Sequence, residues 1–194
     1  MLDYIKGEIV ELTPAAVVIE TGGLGFVAQI SLNTYSSLTG EKNCRLYIYE
    51  AIREDAFQLF GFLSKRERDM FLLLISVSGV GTNTARMMLS SLALHELEAI
   101  IASGNSSALK TVKGIGAKTA ERIIIDLKDK VKPGATPASA TTTALQSGVA
   151  QEAVAALVML GFNQPASQKV INKLVNDKPD ASVEEMIKNA LKLL

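Results

Sequence analysis

The sequence predicts an α+β chain of several small domains: a β-barrel, a central all-α domain, a flexible linker and a C-terminal helical bundle. Three observations carry this. Short runs of β-branched and aromatic residues fill positions 1–63. Helical spacing of apolar residues begins at Ser64 and holds to residue 131. An Ala/Thr/Ser/Pro/Gly segment then runs from Lys132 to Gly148 with no charge after its first residue.

The strand-like runs are YIKGEIVEL, AAVVIET, GFVAQIS, CRLYIYEAI and AFQLFGF, broken by turn residues such as Thr13-Pro14 and Gly22-Gly23. Five short strands in so short a span fit an OB-like barrel, with Leu32 to Leu38 as a short helix or loop in the long connection. In SKRERDMFLLLISV, Ser64 is suited to cap a helix. The helical region 64–131 is interrupted at SGVG, ASGN and KGIG. Residues 132–148, KPGATPASATTTALQSG, cannot bury enough surface to fold alone and read as a tether. From 149 to 194, VAQEAVAALVMLGF, PASQKVINKLVND and SVEEMIKNALKLL form three amphipathic helices, a bundle small enough to suggest an interaction module.

Composition narrows the function. The lone Cys44 fits a reducing compartment and a small core position; the lone His95 has no ligand-type neighbours, so neither a metal site nor a cofactor is expected. No apolar run approaches the roughly 20 residues that cross a bilayer, and the alternating start MLDYIKGEIVEL does not resemble a signal peptide. A soluble, cytoplasmic protein without membrane partners is expected. The net charge of zero hides a separation: residues 1–63 hold 4 Lys/Arg and 8 Asp/Glu, net −4, and residues 64–132 hold 11 and 7, net +4.

The basic middle contains a repeat. Shifted by 35 residues, VSGVGTNTARMMLSSL (77–92) lies over VKGIGAKTAERIIIDL (112–127), with six of 16 positions identical. Each copy reads as a helix, a two-glycine turn and a second helix. Glycines let the backbone take positive φ and approach a ligand closely. The helix that follows at once directs unpaired N–H groups and a positive dipole end outward, which suits a phosphate oxygen. Val80 and Ile115, between the glycines, anchor each turn in the core. One such turn alone is an ordinary capped connection; two in register point to a phosphate grip that reads no bases. The candidate phosphate-binding residues are Gly79, Gly81, Thr82, Asn83, Thr84 and Arg86 in the first copy. In the second they are Lys110, Lys113, Gly114, Gly116, Lys118, Thr119 and Arg122. The second copy carries most of the cations.

No catalytic residues are assigned. Paired helix-hairpin-helix motifs also occur in DNA glycosylases and nucleases. The regions where a glycosylase aspartate belongs read LEAIIAS and KPGATP, and Asp126 with Asp129 read as a solvated helix face. No GxxxxGK[ST] loop is present, so ATP use would fall to a partner. A protein-only adaptor is the other alternative, and the basic second hairpin argues against it.

In the segments REDAFQLFGF, SGVGTNTA, KGIGAKTAERIIIDLKDK and QEAVAALVMLGF, and in their order along the whole chain, the sequence resembles the RuvA family of Holliday-junction-binding subunits. The resemblance implies that four subunits, or a double tetramer of eight, form a square platform on an open four-way DNA junction. Each subunit's hairpins would hold one duplex arm without regard to sequence. It implies a UBA-like C-terminal bundle that docks on the RuvB ATPase ring, with the RuvC junction resolvase as a further candidate partner, in DNA recombination and repair. It places an acidic pin at Glu54 and Asp55, which the residues alone describe as a solvated turn, and motor-facing apolar residues at Leu157, Leu160 and Phe162, which could equally be internal packing. The run GVGTNTA departs from the family, whose first hairpin often carries a lysine just after its glycines.

Overall fold

A computed structural model describes residues 1–131, 143–178 and 181–193. The chain divides into two compact units, Met1–Gly134 and Ala135–Leu194.

The first unit opens with β1 (Tyr4–Leu12), β2 (Ala16–Thr21), β3 (Leu24–Gln29), α1 (Leu32–Leu38), β4 (Asn43–Ile52) and β5 (Phe57–Phe62). The strands close in the order β1-β2-β3-β5-β4, with β4 returning to β1; only β3 and β5 run parallel. This is the expected OB-like barrel. Its interior holds Ile5, Val17, Ile19, Ala28, Ile30, Leu46, Ile48 and Leu59. Helix α1 resolves the ambiguity over residues 32–38. The Ser31 hydroxyl caps it by accepting the Thr34 N–H at 3.1 Å.

Five helices follow: α2 (Lys65–Ser76), α3 (Thr82–Ser91), α4 (Leu94–Ser103), α5 (Ser106–Leu109) and α6 (Ala117–Leu127). Ser64 caps α2, its Oγ accepting the Glu67 N–H at 3.1 Å. Glu67 turns back toward the barrel, where its Oε2 accepts the Leu63 N–H at 3.0 Å. Burial pushes the Glu67 carboxyl above the usual carboxylate range, opposed by Leu63 N–H and the Ser31 and Thr34 hydroxyls. The helix directly before the second turn, α5, has only four residues, because Gly104 in the left-handed region ends α4 within the expected ASGN interruption.

The change of texture at Ser64 marks a change of secondary structure and not a break in packing. Phe60 and Phe62 of the barrel share one core with Phe71, Leu74, Met88, Leu97 and Ile123. The Phe71 ring lies 4.9 Å from Phe62, 5.3 Å from Phe60 and 5.5 Å from Tyr49. Residues 1–63 and 64–131 are therefore two folds within one unit.

The second unit contains α7 (Thr143–Met159), α8 (Gln164–Asp177) and α9 (Val183–Ala190), the three expected helices. They pack around Ala153, Val154, Leu157, Ile171, Met186 and Ala190. Helix α7 begins at Thr143, inside the segment assigned to the tether; residues 132–142 lie outside the described residues. Among the described residues no helix is long and apolar enough to cross a membrane.

Candidate nucleic-acid interface

The two glycine turns are built alike, atom for atom. In the first, Val77 N–H donates to Leu74 O at 3.1 Å and Val80 N–H to Val77 O at 3.0 Å. In the second, Val112 N–H donates to Leu109 O at 3.1 Å and Ile115 N–H to Val112 O at 3.1 Å. Val77, Val80, Val112 and Ile115 are all buried, so apolar residues on both sides of the first glycine fix each turn to the core. The buried Ala85 and Ala120 let α3 and α6 approach the same core one turn later.

The glycines within each pair have different tasks. Gly79 and Gly114 stand at φ +94° and +91°, where a side chain is strained. Gly81 and Gly116 stand at φ −87° and −83°, ordinary extended backbone, as the N-caps of α3 and α6. A Cβ at either would meet nothing within 4 Å. Among the described residues nothing requires glycine there. At each position a bare N-cap lies against solvent, with no side chain capping the helix. The N–H groups of the first helical turns, at Thr82, Asn83 and Thr84 and at Ala117, Lys118 and Thr119, have no partner within their own helices. They can donate to an anionic oxygen.

Side chains around the turns separate the copies. Lys110, Lys113, Lys118 and Arg122 are all exposed, and among the described residues none forms a salt bridge. Asn83 is exposed; Thr82, Thr84 and Thr119 are half-buried. Arg86, the cation of the first copy, makes contacts on the protein itself. Its Nη1 donates to Gln29 Oε1 at 2.7 Å and to Ala15 O at 3.0 Å, on the barrel. Asn33 of α1 adds a second tie, its Nδ2 donating to Leu89 O at 2.7 Å at the end of α3. Through Nη1, Arg86 ties α3 to the barrel, by contacts 71 and 57 residues distant that no local pattern reveals.

Glu54 and Asp55 form the exposed tip of the β4–β5 hairpin, closed by Arg53 N–H to Ala56 O at 2.8 Å. The last rung before the tip pairs Ile52 with Phe57. Both are exposed, 71% and 61%, and neither is among the candidate residues named from the sequence. The available signal was a large apolar residue on each side of a charged turn.

In the second unit Leu157 is fully buried in the bundle and Phe162 is half-buried against it, so internal packing accounts for Leu157. Leu160 is exposed beside Met159, where Gly161 at φ +97° turns the chain out of α7. Among the described residues no three His, Cys, Asp or Glu side chains converge as a metal site requires.

Residues 1–61 match the family model described as RuvA N terminal domain, 71–129 the SAM-like Helix-hairpin-helix tandem and 148–194 the RuvA C-terminal domain. A protein of Azobacteroides pseudotrichonymphae named Holliday junction branch migration complex subunit RuvA is 62% identical over 196 residues, covering 100% of both chains. The chain belongs to the RuvA family. Proteins of the same name from Bacteroides thetaiotaomicron and Porphyromonas gingivalis are 58% and 45% identical, again over 100% of each chain. Within a RuvA-family chain the matched helix-hairpin-helix region contains both glycine turns, and the matched N-terminal region contains the acidic tip.

Proposed function

We propose that this chain grips the phosphate backbone of duplex arms at a four-way DNA junction, as a non-catalytic subunit of a branch-migration complex. One observation carries the reading: Gly81 and Gly116 are bare at two matching helix starts where the fold itself has room for a side chain. The N–H groups beside them read no bases, and the four exposed cations around the second turn add attraction that decays with salt. The names of the relatives supply the branched substrate and the complex. On this reading the first turn works mainly through backbone and neutral donors, and affinity comes from repeating a modest grip around a tetramer or double tetramer. A RuvB-type ATPase supplies the motor, a RuvC-type resolvase is a further partner, and the work is done in the cytoplasm.

The test is a gel shift of a four-way junction and a linear duplex across a salt series, with particle mass measured on the complex. The junction is bound more tightly, and its affinity falls on the order of 10³-fold or more between 50 and 200 mM salt. Flat affinity across that range removes the DNA reading. In the same series Glu54→Ala with Asp55→Ala keeps or strengthens junction binding while narrowing the gap to duplex, because carboxylates repel approaching backbones. Weaker binding to every DNA form would rule out a repulsive tip.

The exposed Leu160 and Met159 are the apolar surface this reading offers to the motor, in place of the buried Leu157. Leu160→Asp is expected to abolish capture of RuvB on immobilised protein and leave junction affinity unchanged. Capture equal to that of the parent protein would place the motor contact elsewhere.

A further inference from the structure

We propose that the Ile52–Phe57 rung is a wedge that contacts nucleobases, with the Phe57 ring stacking on a base at the branch point. The inference rests on the junction reading above.

Ile52 and Phe57 are register partners at the end of β4 and β5, so both side chains stand on one face of the hairpin, directly behind Glu54 and Asp55. Arg53 and Ala56, the next pair, belong to the opposite face. Further down the same strands Leu46, Ile48, Leu59, Phe60 and Phe62 are all buried. Only the rung at the tip leaves its large apolar side chains in solvent.

Charge selects the occupant. Glu54 and Asp55 outweigh the single cation Arg53 at the tip, so a phosphate backbone or any anionic surface approaching it meets net repulsion. A nucleobase carries no net charge and offers a flat face that stacks on an aromatic ring without regard to sequence. Its exocyclic amino groups can donate to the neighbouring carboxylates. Apolar side chains are used elsewhere as wedges that part stacked base steps. A branch point is where duplex ends meet and base faces lose their stacking neighbours. The tip thus combines two actions: the acids hold backbones away, and the ring takes up the base face that is uncovered.

Photocrosslinking of the full-length chain on four-way junctions tests this, with 5-iododeoxyuridine placed either at the crossover or in mid-arm. Label at the crossover is expected to attach to Phe57, and label in the arm is not. Phe57→Ala removes the crosslink and weakens junction affinity about fivefold or more, with duplex affinity unchanged; Phe57→Tyr retains both. An undiminished crosslink, or unchanged junction affinity, in Phe57→Ala overturns the wedge. So does loss of subunit association by that variant without DNA, which would make the rung a contact between copies. If the parent protein itself shows no junction preference, the underlying reading fails; if only the variant behaves like its parent, the wedge alone fails.

Discussion

Valine at both Gly81 and Gly116 will leave the fold standing and remove most DNA binding. Both positions have φ near −85°, open to any residue, and a Cβ there meets no atom within 4 Å. Valine is a poorer N-cap than glycine, but it also restricts the unfolded chain, so net stability should change by less than about 1 kcal/mol. Outside the protein the isopropyl groups occupy the place where, on the proposed grip, a phosphate oxygen meets the N–H groups of α3 and α6. Hydrogen bonds to a charged group contribute about 1.5–3 kcal/mol each, so losing one at each turn weakens binding on the order of 100-fold or more. Thermal unfolding and a junction titration on the same sample separate the two effects. The matched control is valine at Gly79 and Gly114, whose positive φ costs about 1–3 kcal/mol per site and lowers stability directly. Binding by the Gly81/Gly116 variant at parental strength would show that the helix starts do not contact the backbone.

Phe71→Ala should be the most destabilising single change in the first unit. The ring is fully buried and meets Tyr49, Phe60 and Phe62 of the barrel from α2. Truncating a buried phenylalanine costs about 3–5 kcal/mol, against typical total stabilities of about 5–15 kcal/mol. For a unit of this size the melting temperature should fall by about 10–20 °C, read by circular dichroism. Strand and helix signals should melt together, because one core serves both. A barrel that keeps its melting temperature while the helices unfold would refute the shared core.

The parts of this molecule that follow local rules were legible in its sequence. The strand runs predicted all five strands to within a residue or two, Ser64 caps α2, and the 35-residue repeat exposed both turns. What escaped depends on contacts between distant positions. Phe60 and Phe62 read as ordinary strand residues, and only the fold shows that their rings belong to the helices. The tie from Arg86 to the barrel is invisible locally, because nothing near it in sequence announces Gln29 or Ala15. Leu157 and Leu160 sit three residues apart in one apolar run, and their opposite burial is decided by where Gly161 ends the helix. The difference between Gly81 and Gly79 is a difference of φ, which the letter G does not encode.

The pairing of bare glycines with backbone donors bears on motion as well as affinity. A contact made by peptide N–H groups to a phosphate has the same energy at every base pair, whatever the bases are. Duplex screwing past two such turns would meet a potential that repeats with the helix and carries no deep sequence-dependent wells. The grip would then behave as a bearing: firm across the axis of the arm, and low in friction along it.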